Sequence, residues 1–301
     1  MNMIDSKPKQ YKPVIGVFDS GVGGLSVLSA IWNELPYAVT IYMADQAHVP
    51  YGLRPEAEVR EYAVGITRYL LVQGAAVIVV ACNTASAAAL EHLRQTFKDV
   101  PFVGMEPAVK PAVEKTSSGV VGVLATPATF QGALYASVVE RFAGGVKIIQ
   151  HTCPGLVELI ENGFLNSTFT RDILEDALQP MREQGVDTIV LGCTHYPFVI
   201  PLIQDIVGPE VRVIDPAPAV ARQVRRIVEK GSKDTTEDYA QSLPDTMGPS
   251  KKYLTTKDPP KLESMLPLLL KQGGKVKQIY WEKPPAGFLT DNLPDNLPRV
   301  S

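Results

Sequence analysis

The feature that most constrains the fold is a layout of helix and strand patterns that occurs twice along the chain. In the first copy, residues 55–74 carry apolar side chains at helical spacing, and a continuous apolar run follows and ends at Cys82. In the second copy, a helical pattern over residues 170–185 precedes the apolar run 188–191, which ends before Cys193. In both copies the cysteine lies eight residues after the glycine that ends the helix. Helices alternating with fully apolar runs predict an α/β fold with parallel strands buried on both faces.

Three more pairs of apolar runs repeat in the same order. Residues 14–18 correspond to residues 120–124, and the run before Asp45 corresponds to the run before His151, both at an offset of 106. The last pair precedes a Glu-Pro and an Asp-Pro dipeptide. We therefore predict two similar α/β domains with mainly parallel sheets, related by a pseudo-twofold axis, with the active site in the cleft between them.

The remaining segments have simpler patterns. Residues 216–230 and 262–270 are predicted to be helices, and residues 276–280 a strand. Residues 232–252 are polar and are predicted to be a loop, and the last twenty residues are proline-rich and are predicted to be a mobile tail.

Composition excludes several classes of protein. The chain has 301 residues and is 45% hydrophobic, which excludes wholesale disorder. Its longest apolar run, residues 75–82, is far shorter than the roughly 20 residues of a membrane span. Acidic and basic residues nearly balance, 32 against 29, so no nucleic-acid partner is expected. The three cysteines are not in any Cys-x-x-Cys motif, so a disulfide scaffold or a structural zinc site is not expected. The N-terminus is polar and has no apolar region typical of a secretory signal, and we expect the protein in the reducing cytoplasm.

The polar residues that follow the predicted strands are the candidate site. Ligands of open parallel sheets bind outside the carboxyl ends of the strands. The candidates at these ends are Asp19, Ser20, Asp45, Cys82, Asn83, Thr84, Thr126, Cys193, Thr194 and His195. If the two halves face each other, they place one cysteine on each side of a cleft.

Two opposed thiols predict inversion at a carbon atom. One thiolate removes a proton from one face of the carbon, and the other thiol delivers a proton to the opposite face, so no cofactor is needed. Each cysteine is expected to begin a helix whose N-terminus stabilises a thiolate or a bound carboxylate. Asp19 and His195 are expected to tune the two thiols differently. The alternative is that Cys82 and Cys193 are small buried hydrophobic residues, which is the usual role of a lone cysteine after an apolar run.

Other chemically active residues have weaker patterns. Cys153 precedes a helix and has no counterpart at an equivalent strand end, so it is predicted to be a packing residue. Glu161 points either to solvent or into the cleft, and the sequence leaves this open. His48 and His92 are predicted to be surface or packing residues, and the role of His151 stays open.

The glycine cluster at residues 21–24 does not match a nucleotide-binding motif. Ser26 stands where a dinucleotide fingerprint needs its third glycine, and no Gly-Lys-Ser/Thr follows. The cluster is interpreted as a tight turn whose backbone N–H groups are able to hold a carboxylate or a phosphate. Cys193 and His195 flank Thr194, but no further cysteine or histidine has ligand spacing, so no metal site is expected.

Several segments together resemble the aspartate/glutamate racemase family, and glutamate racemases in particular. They are GVFDSGVGGLSVL, PYG, ACNTASA, EP, ATPAT, CPGLVELIENG and LGCTHYP, beginning at residues 16, 50, 81, 106, 125, 153 and 191. They occur in the family's order from residue 14 to about residue 220. The resemblance implies racemisation of glutamate without a cofactor, with proton transfer by Cys82 and Cys193, to supply D-glutamate for bacterial peptidoglycan and hence for cell shape.

The resemblance also implies domain boundaries and the roles of individual residues. The first domain comprises residues 1–106 plus 216–301, because the family returns its C-terminal segment to that domain, and the second comprises residues 107–215. The implied auxiliary acid–base groups are Asp19, Asp45, Glu161 and His195. The implied substrate-binding residues are Asp19, Ser20, Tyr51, Gly52, Asn83, Thr84, Thr126, Thr194 and His195.

The sequence leaves rival interpretations open. Another racemase of the family, acting on aspartate or a hydantoin, fits the same motifs. The presence of both cysteines argues against a related single-cysteine decarboxylase or isomerase. A Cys–His hydrolase using Cys193 and His195 leaves Cys82 without a role. Two lobes around a cleft also fit a protein that binds a small carboxylate without turnover. The sequence leaves the oligomeric state open, a homodimer included.

Overall fold

The computed structural model describes residues 13–234, 250–282 and 289–290. Within them, two parallel sheets and the helices around them make up the fold. The strands are β1 (Val14–Asp19), β2 (Val39–Ala44), β3 (Val77–Val80), β4 (Phe102–Gly104), β5 (Val120–Ala125), β6 (Lys147–His151), β7 (Thr188–Gly192), β8 (Arg212–Ile214), β9 (Lys251–Thr255), β10 (Val276–Gln278), β11 (Tyr280–Trp281) and β12 (Leu289–Thr290).

The helices alternate with these strands, as parallel pairing requires. They are α1 (Leu25–Glu34), α2 (Glu56–Val72), α3 (Asn83–Thr96), α4 (Val109–Lys115), α5 (Pro127–Gln131), α6 (Ala133–Phe142), α7 (Leu156–Glu161), α8 (Thr168–Glu183), α9 (Ile200–Val207), α10 (Ala217–Asp234) and α11 (Pro259–Leu270). Two short 3₁₀ turns are present at Tyr51–Leu53 and Tyr196–Val199.

The two sheets repeat the same strand order. The first sheet runs β10-β9-β2-β1-β3-β4 and the second runs β6-β5-β7-β8, so β2-β1-β3-β4 corresponds to β6-β5-β7-β8. All strand pairs in both sheets are parallel. The predicted fold class, α/β with two similar parallel sheets, is confirmed. The chain also brings β9 and β10 back to the first sheet, next to β2.

Alternating residues of the central strands bury opposite faces of the first sheet. Ile78 and Val80 pack in the cluster that includes α2 and α3, while Val79 packs on the face covered by α1 and α10. The second face belongs to an apolar cluster that also contains Leu174 and Ile189 from the other half of the molecule. One continuous core therefore joins the two sheets, which places the carboxyl ends of their strands against each other.

Several predicted boundaries need correction. The predicted loop 232–252 is wrong at both ends, because α10 continues to Asp234 and β9 begins at Lys251, and residues 235–249 lie outside the described part. The predicted strand 276–280 divides at Ile279, because β11 pairs antiparallel with β12 in a separate small sheet. The predicted mobile tail lies almost entirely outside the described residues. The domain boundaries at residues 106 and 215 stay a prediction.

Candidate active site

A small cavity lies where the carboxyl ends of the strands of both sheets meet. Its volume is about 20 Å³, which has room for roughly one water molecule. The lining residues come from both halves of the molecule: Asp19, Ser20, Pro50, Tyr51, Gly52, Cys82, Asn83, Thr84, Thr126, Val157, Cys193, Thr194 and His195. The structure therefore brings both strand-end cysteines into one cavity, together with most of the residues predicted from the sequence.

Cys82 lies at the junction of β3 and α3. It is the N-cap of α3, and its Sγ accepts a hydrogen bond from Ala85 N at 3.4 Å. Burial raises the pKa of Cys82 well above its usual value, and the neighbouring Asp19 carboxylate raises it further, while the Ala85 N–H acts in the opposite direction. Cys82 is therefore a protonated thiol at neutral pH.

Asp19 ends β1 and is completely buried. Its Oδ1 accepts from Ser20 N at 2.7 Å and its Oδ2 from Gly24 N at 2.5 Å, so the glycine turn wraps its carboxylate. Burial raises the pKa of Asp19, while the charge of His195 and the hydrogen bond with Cys82 restrain the rise. The predicted tight turn is present, and the carboxylate that Gly24 holds is the protein's own.

Cys193, His195 and Glu161 form a chain of buried polar contacts. His195 Nδ1 lies 3.7 Å from Cys193 Sγ, and His195 Nε2 lies 2.6 Å from Glu161 Oε1. Burial opposes a charge on His195, but the contacts with Cys193 and Glu161 outweigh it and hold the pKa of His195 well above 6.5. His195 is therefore an imidazolium at neutral pH that donates toward both the sulfur and the carboxylate.

The expected helix start at Cys193 is wrong. Cys193 follows β7 into a turn and the 3₁₀ segment Tyr196–Val199, and α9 begins only at Ile200. The α-helical bond to the Cys193 carbonyl would come from residue 197, which is a proline without an N–H. Tyr196 N donates a hydrogen bond to the Cys193 carbonyl instead, at 3.2 Å. The Cys193 sulfur thus contacts a side chain, His195, whereas the Cys82 sulfur accepts a hydrogen bond from the N-terminus of a helix.

The two halves of the molecule contact each other at and beside the cavity. Thr84 Oγ1 and Thr126 Oγ1 lie 3.1 Å apart across it, and outside its lining Ser26 Oγ donates to the backbone oxygen of Thr194 at 2.9 Å. The amide of Asn83 has buried oxygen and nitrogen atoms without a hydrogen-bond partner among the described residues. Because an unpaired buried amide is costly, this side chain is set up to bind a polar ligand.

Two predicted residues lie outside the cavity lining. Glu161 points inward, is 4% exposed, and reaches the cavity only through His195; it also accepts from Val22 N at 2.7 Å. Asp45 is fully buried behind Tyr51, whose hydroxyl donates to Asp45 Oδ2 at 2.6 Å. Their acid–base roles stay predictions.

Two lining residues, Pro50 and Val157, were not predicted from the sequence. Both lie inside segments that carried the family resemblance, which was the available signal, but neither side chain is polar.

Cys153 is buried in the core that joins the two sheets, as its predicted packing role requires, and burial raises its pKa to about 12. Among the described residues, no group of three His, Cys, Asp or Glu side chains is placed to hold a metal ion.

Comparison with known proteins identifies the class to which this fold and this pair of thiols belong. The sequence pattern that defines the Asp/Glu/hydantoin racemases matches residues 15–224. The chain belongs to this family, and it is therefore an amino-acid racemase, an isomerase.

Glutamate racemases of several bacteria are similar to this chain over most of its length. The glutamate racemase of Ectopseudomonas mendocina is 46% identical over 267 residues, which cover 89% of this chain and 98% of the relative. That of Roseiflexus sp. is 51% identical over 216 residues, which cover 72% and 79%.

Solved structures agree with these relatives. A glutamate racemase isoform from Bacillus anthracis superposes with a TM-score of 0.77 at 31% identity, covering 88% of this chain and 97% of that one. The Escherichia coli glutamate racemase, solved with L-glutamate and the activator UDP-MurNAc-ala, superposes with a TM-score of 0.75 at 34% identity, covering 88% and 97%. In the part of the chain that the structure describes, no helix has both the length and the apolar character of a membrane span.

Proposed function

We propose that this chain interconverts L-glutamate and D-glutamate by proton transfer at Cα between Cys82 and Cys193. The observation that carries the proposal is the placement of the two thiols in one cavity, on strand ends of opposite halves. A single acid–base group returns its proton to the face from which it came, whereas two opposed groups invert the centre. D-glutamate formed in the cytoplasm would then supply peptidoglycan synthesis.

The different surroundings of the two sulfurs favour a division of labour. In one direction the Cys193 sulfur, as thiolate, takes the Cα proton while the Cys82 thiol gives its proton to the opposite face. The electron pair of the broken C–H bond is delocalised into the carboxylate and then forms the new C–H bond. The two sulfurs have then exchanged states, and the reverse reaction restores them. His195 stabilises negative charge on the Cys193 sulfur, and Asp19 accepts a hydrogen bond from the Cys82 thiol.

Neutral donors would meet the two carboxylates of glutamate. The residues that line the described cavity include no lysine or arginine. The free amide of Asn83 and the hydroxyls of Ser20, Thr84 and Thr194 provide donors at the cavity surface. Since the net charge of the chain is −3, long-range attraction does not help the binding of an anion. Recognition therefore depends on these local contacts.

The test is incorporation of deuterium at Cα from heavy water, starting from each enantiomer and followed by proton NMR, with circular dichroism for inversion. Cys82→Ser and Cys193→Ser should each lower kcat by at least about a hundredfold, the usual contribution of one acid–base group. Cys153→Ser is the matched control, because it makes the same change at a buried thiol outside the cavity, and it should keep turnover close to wild type.

Each outcome decides between the alternatives. Wild-type turnover in either the Cys82 or the Cys193 variant would exclude the two-base mechanism. Absence of exchange from both enantiomers, with tight binding of glutamate, would assign a binding protein instead. Faster inversion of aspartate than of glutamate would move the substrate assignment within the family.

A further inference from the structure

A buried carboxylate behind the cavity wall joins that wall to the C-terminal segment. Asp45 follows β2 and receives hydrogen bonds from four side chains. On the wall side, Tyr51 Oη donates to Oδ2 at 2.6 Å and His48 Nδ1 lies 2.9 Å from the same oxygen. On the other side, Thr256 Oγ1 donates to Oδ1 at 2.7 Å and Trp281 Nε1 at 2.9 Å. Oδ2 therefore accepts hydrogen bonds chiefly from the wall side, and Oδ1 accepts them from the C-terminal residues Thr256 and Trp281.

The wall in question is the segment of residues 50–52, which lines the cavity. The hydroxyl of Tyr51 is used by Asp45, so Tyr51 holds the segment in place and is not a free donor to the substrate. Across the cavity, a Cβ on Gly52 would come within 3.0 Å of Thr126 Cβ. Because the packing is this close, a shift of the segment by a few tenths of an ångström changes the width of the cavity.

Thr256 and Trp281, the two residues of the C-terminal segment that reach Asp45, have further contacts of their own. Thr256 N donates to Ala44 O at 3.1 Å, and Thr256 Oγ1 also accepts from Ala47 N at 3.0 Å. Trp281 packs edge-on against the ring of His48, with centroids 5.6 Å apart. His48 in turn stacks on Tyr62 of α2 at 3.9 Å. Both donors to Asp45 Oδ1 are thus held by contacts with other residues as well.

We infer that Trp281 and Thr256 are positioning residues of the racemase site, which act through Asp45 on Tyr51 and the wall 50–52. They lie 236 and 211 residues from Asp45 in sequence. Two fixed donors on Oδ1 set the orientation of the carboxylate, and that orientation sets where Oδ2 can accept from Tyr51. The inference concerns the precision of the site and rests on the proposed function for its kinetic consequences.

The kinetic test removes single donors. Trp281→Phe keeps an aromatic ring but loses the N–H, and we expect kcat/KM for glutamate to fall at least about tenfold, the lower end of the range for the loss of one hydrogen bond to a charged group. Thr256→Val should give a similar loss, and Thr256→Ser, which restores the hydroxyl, should return activity to near wild type. Trp32→Phe is the matched control, because Trp32 Nε1 also donates to a threonine, Thr40, but far from the cavity.

A double-mutant cycle separates positioning from general loss of stability. Trp281→Phe and Tyr51→Phe act on different oxygens of one carboxylate, so their effects on kcat/KM should be strongly non-additive. Additive effects in the cycle would overturn the inference, as would unchanged kcat/KM in Trp281→Phe or failure of Thr256→Ser to rescue. The melting temperature of each variant shows whether the protein is folded under the conditions of the kinetic assay.

A second measurement holds whatever the substrate is. The chain has two tryptophans, so a ¹⁵N spectrum of the indole N–H groups contains two signals, and Trp281→Phe identifies one of them. Tyr51→Phe should shift the Trp281 signal and leave the Trp32 signal in place. If this shift appears while glutamate is not turned over, the proposed function fails and the link through Asp45 stands. If glutamate is turned over and the signal does not move, the link is refuted.

Discussion

Replacement of Glu161 by glutamine should weaken catalysis through His195. Glu161 Oε1 lies 2.6 Å from His195 Nε2, and the two side chains are 6% and 3% exposed. A hydrogen bond between charged groups contributes about 1.5–3 kcal/mol and a neutral one about 0.5–1.5 kcal/mol. The exchange therefore costs about 1–1.5 kcal/mol of stabilisation at the Cys193 side, which corresponds to a roughly tenfold lower kcat/KM.

The same variant should change the pH dependence of the reaction. The contacts with Cys193 and Glu161 raise the pKa of His195, and burial alone would lower it. Without the Glu161 charge the pKa falls, so the imidazolium is lost at a lower pH and the alkaline limb of kcat/KM moves toward acid. For folding, the stabilisation by charged His195 is fully present below about pH 6.5 and is lost as pH rises through its raised pKa.

The assay is inversion of each glutamate enantiomer, followed by circular dichroism between about pH 6 and pH 10. Because the two enantiomers have equal free energy in water, kcat/KM must fall by the same factor in both directions, which gives an internal check. Glu140→Gln makes the same change on an exposed position of α6 and should match wild type. A tenfold loss without any movement of the alkaline limb would refute the reasoning from His195. A melting temperature is needed beside the rates, since Glu161 also binds Val22 N.

Two further substitutions test packing and electrostatics. Gly23→Ala would place a Cβ 2.4 Å from His195 Nδ1, and we expect it to displace that ring and lower kcat at least about tenfold, measured by the same inversion assay. Asp187→Asn should destabilise the fold at pH 7 by about 1 kcal/mol in urea unfolding, because the hydrogen bonds from residues 116–118 outweigh the effect of burial and hold the pKa of Asp187 well below its usual range. That stabilisation is present above about pH 4 and is lost as pH falls toward the lowered pKa, so the difference between variant and wild type should shrink in acid.

Controls for these two substitutions lie on the same chain. Gly144→Ala adds a methyl group in open space and should leave kcat unchanged. Asp172→Asn changes an exposed aspartate of α8 and should show little difference from wild type at either pH. Normal turnover in Gly23→Ala, or a destabilisation by Asp187→Asn that persists in acid, would contradict the respective argument.

Much of the active-site composition was predictable because it follows from strand ends. A continuous apolar run predicts a buried parallel strand, and the polar residues after it must lie at one edge of the sheet. Equal spacing in the two halves then placed Cys82 and Cys193 in equivalent positions, and the repeated strand order confirms this part. The family motifs added Tyr51 and Gly52, which no periodicity indicated.

The remaining features depend on contacts that a linear pattern does not contain. The inward direction of Glu161 is set by His195 and Val22 N, which belong to other elements. The irregular segment after Cys193 results from the missing N–H of Pro197. This proline is present in the sequence, but the predicted helix start at Cys193 relied on the analogy with Cys82. The burial of Asp45 behind Tyr51 depends on partners more than two hundred residues away.

The return of β9 to the first sheet has a consequence for synthesis of the chain on the ribosome. The second sheet is built entirely from residues 120–214, whereas β2 receives its outer neighbour only after Lys251–Thr255 has been made. Until then a strand of six residues, five of them buried in the finished protein, presents an open edge. Open apolar edges pair with other chains, so a nascent or truncated chain that ends before β9 is exposed to aggregation in a way that the finished protein is not.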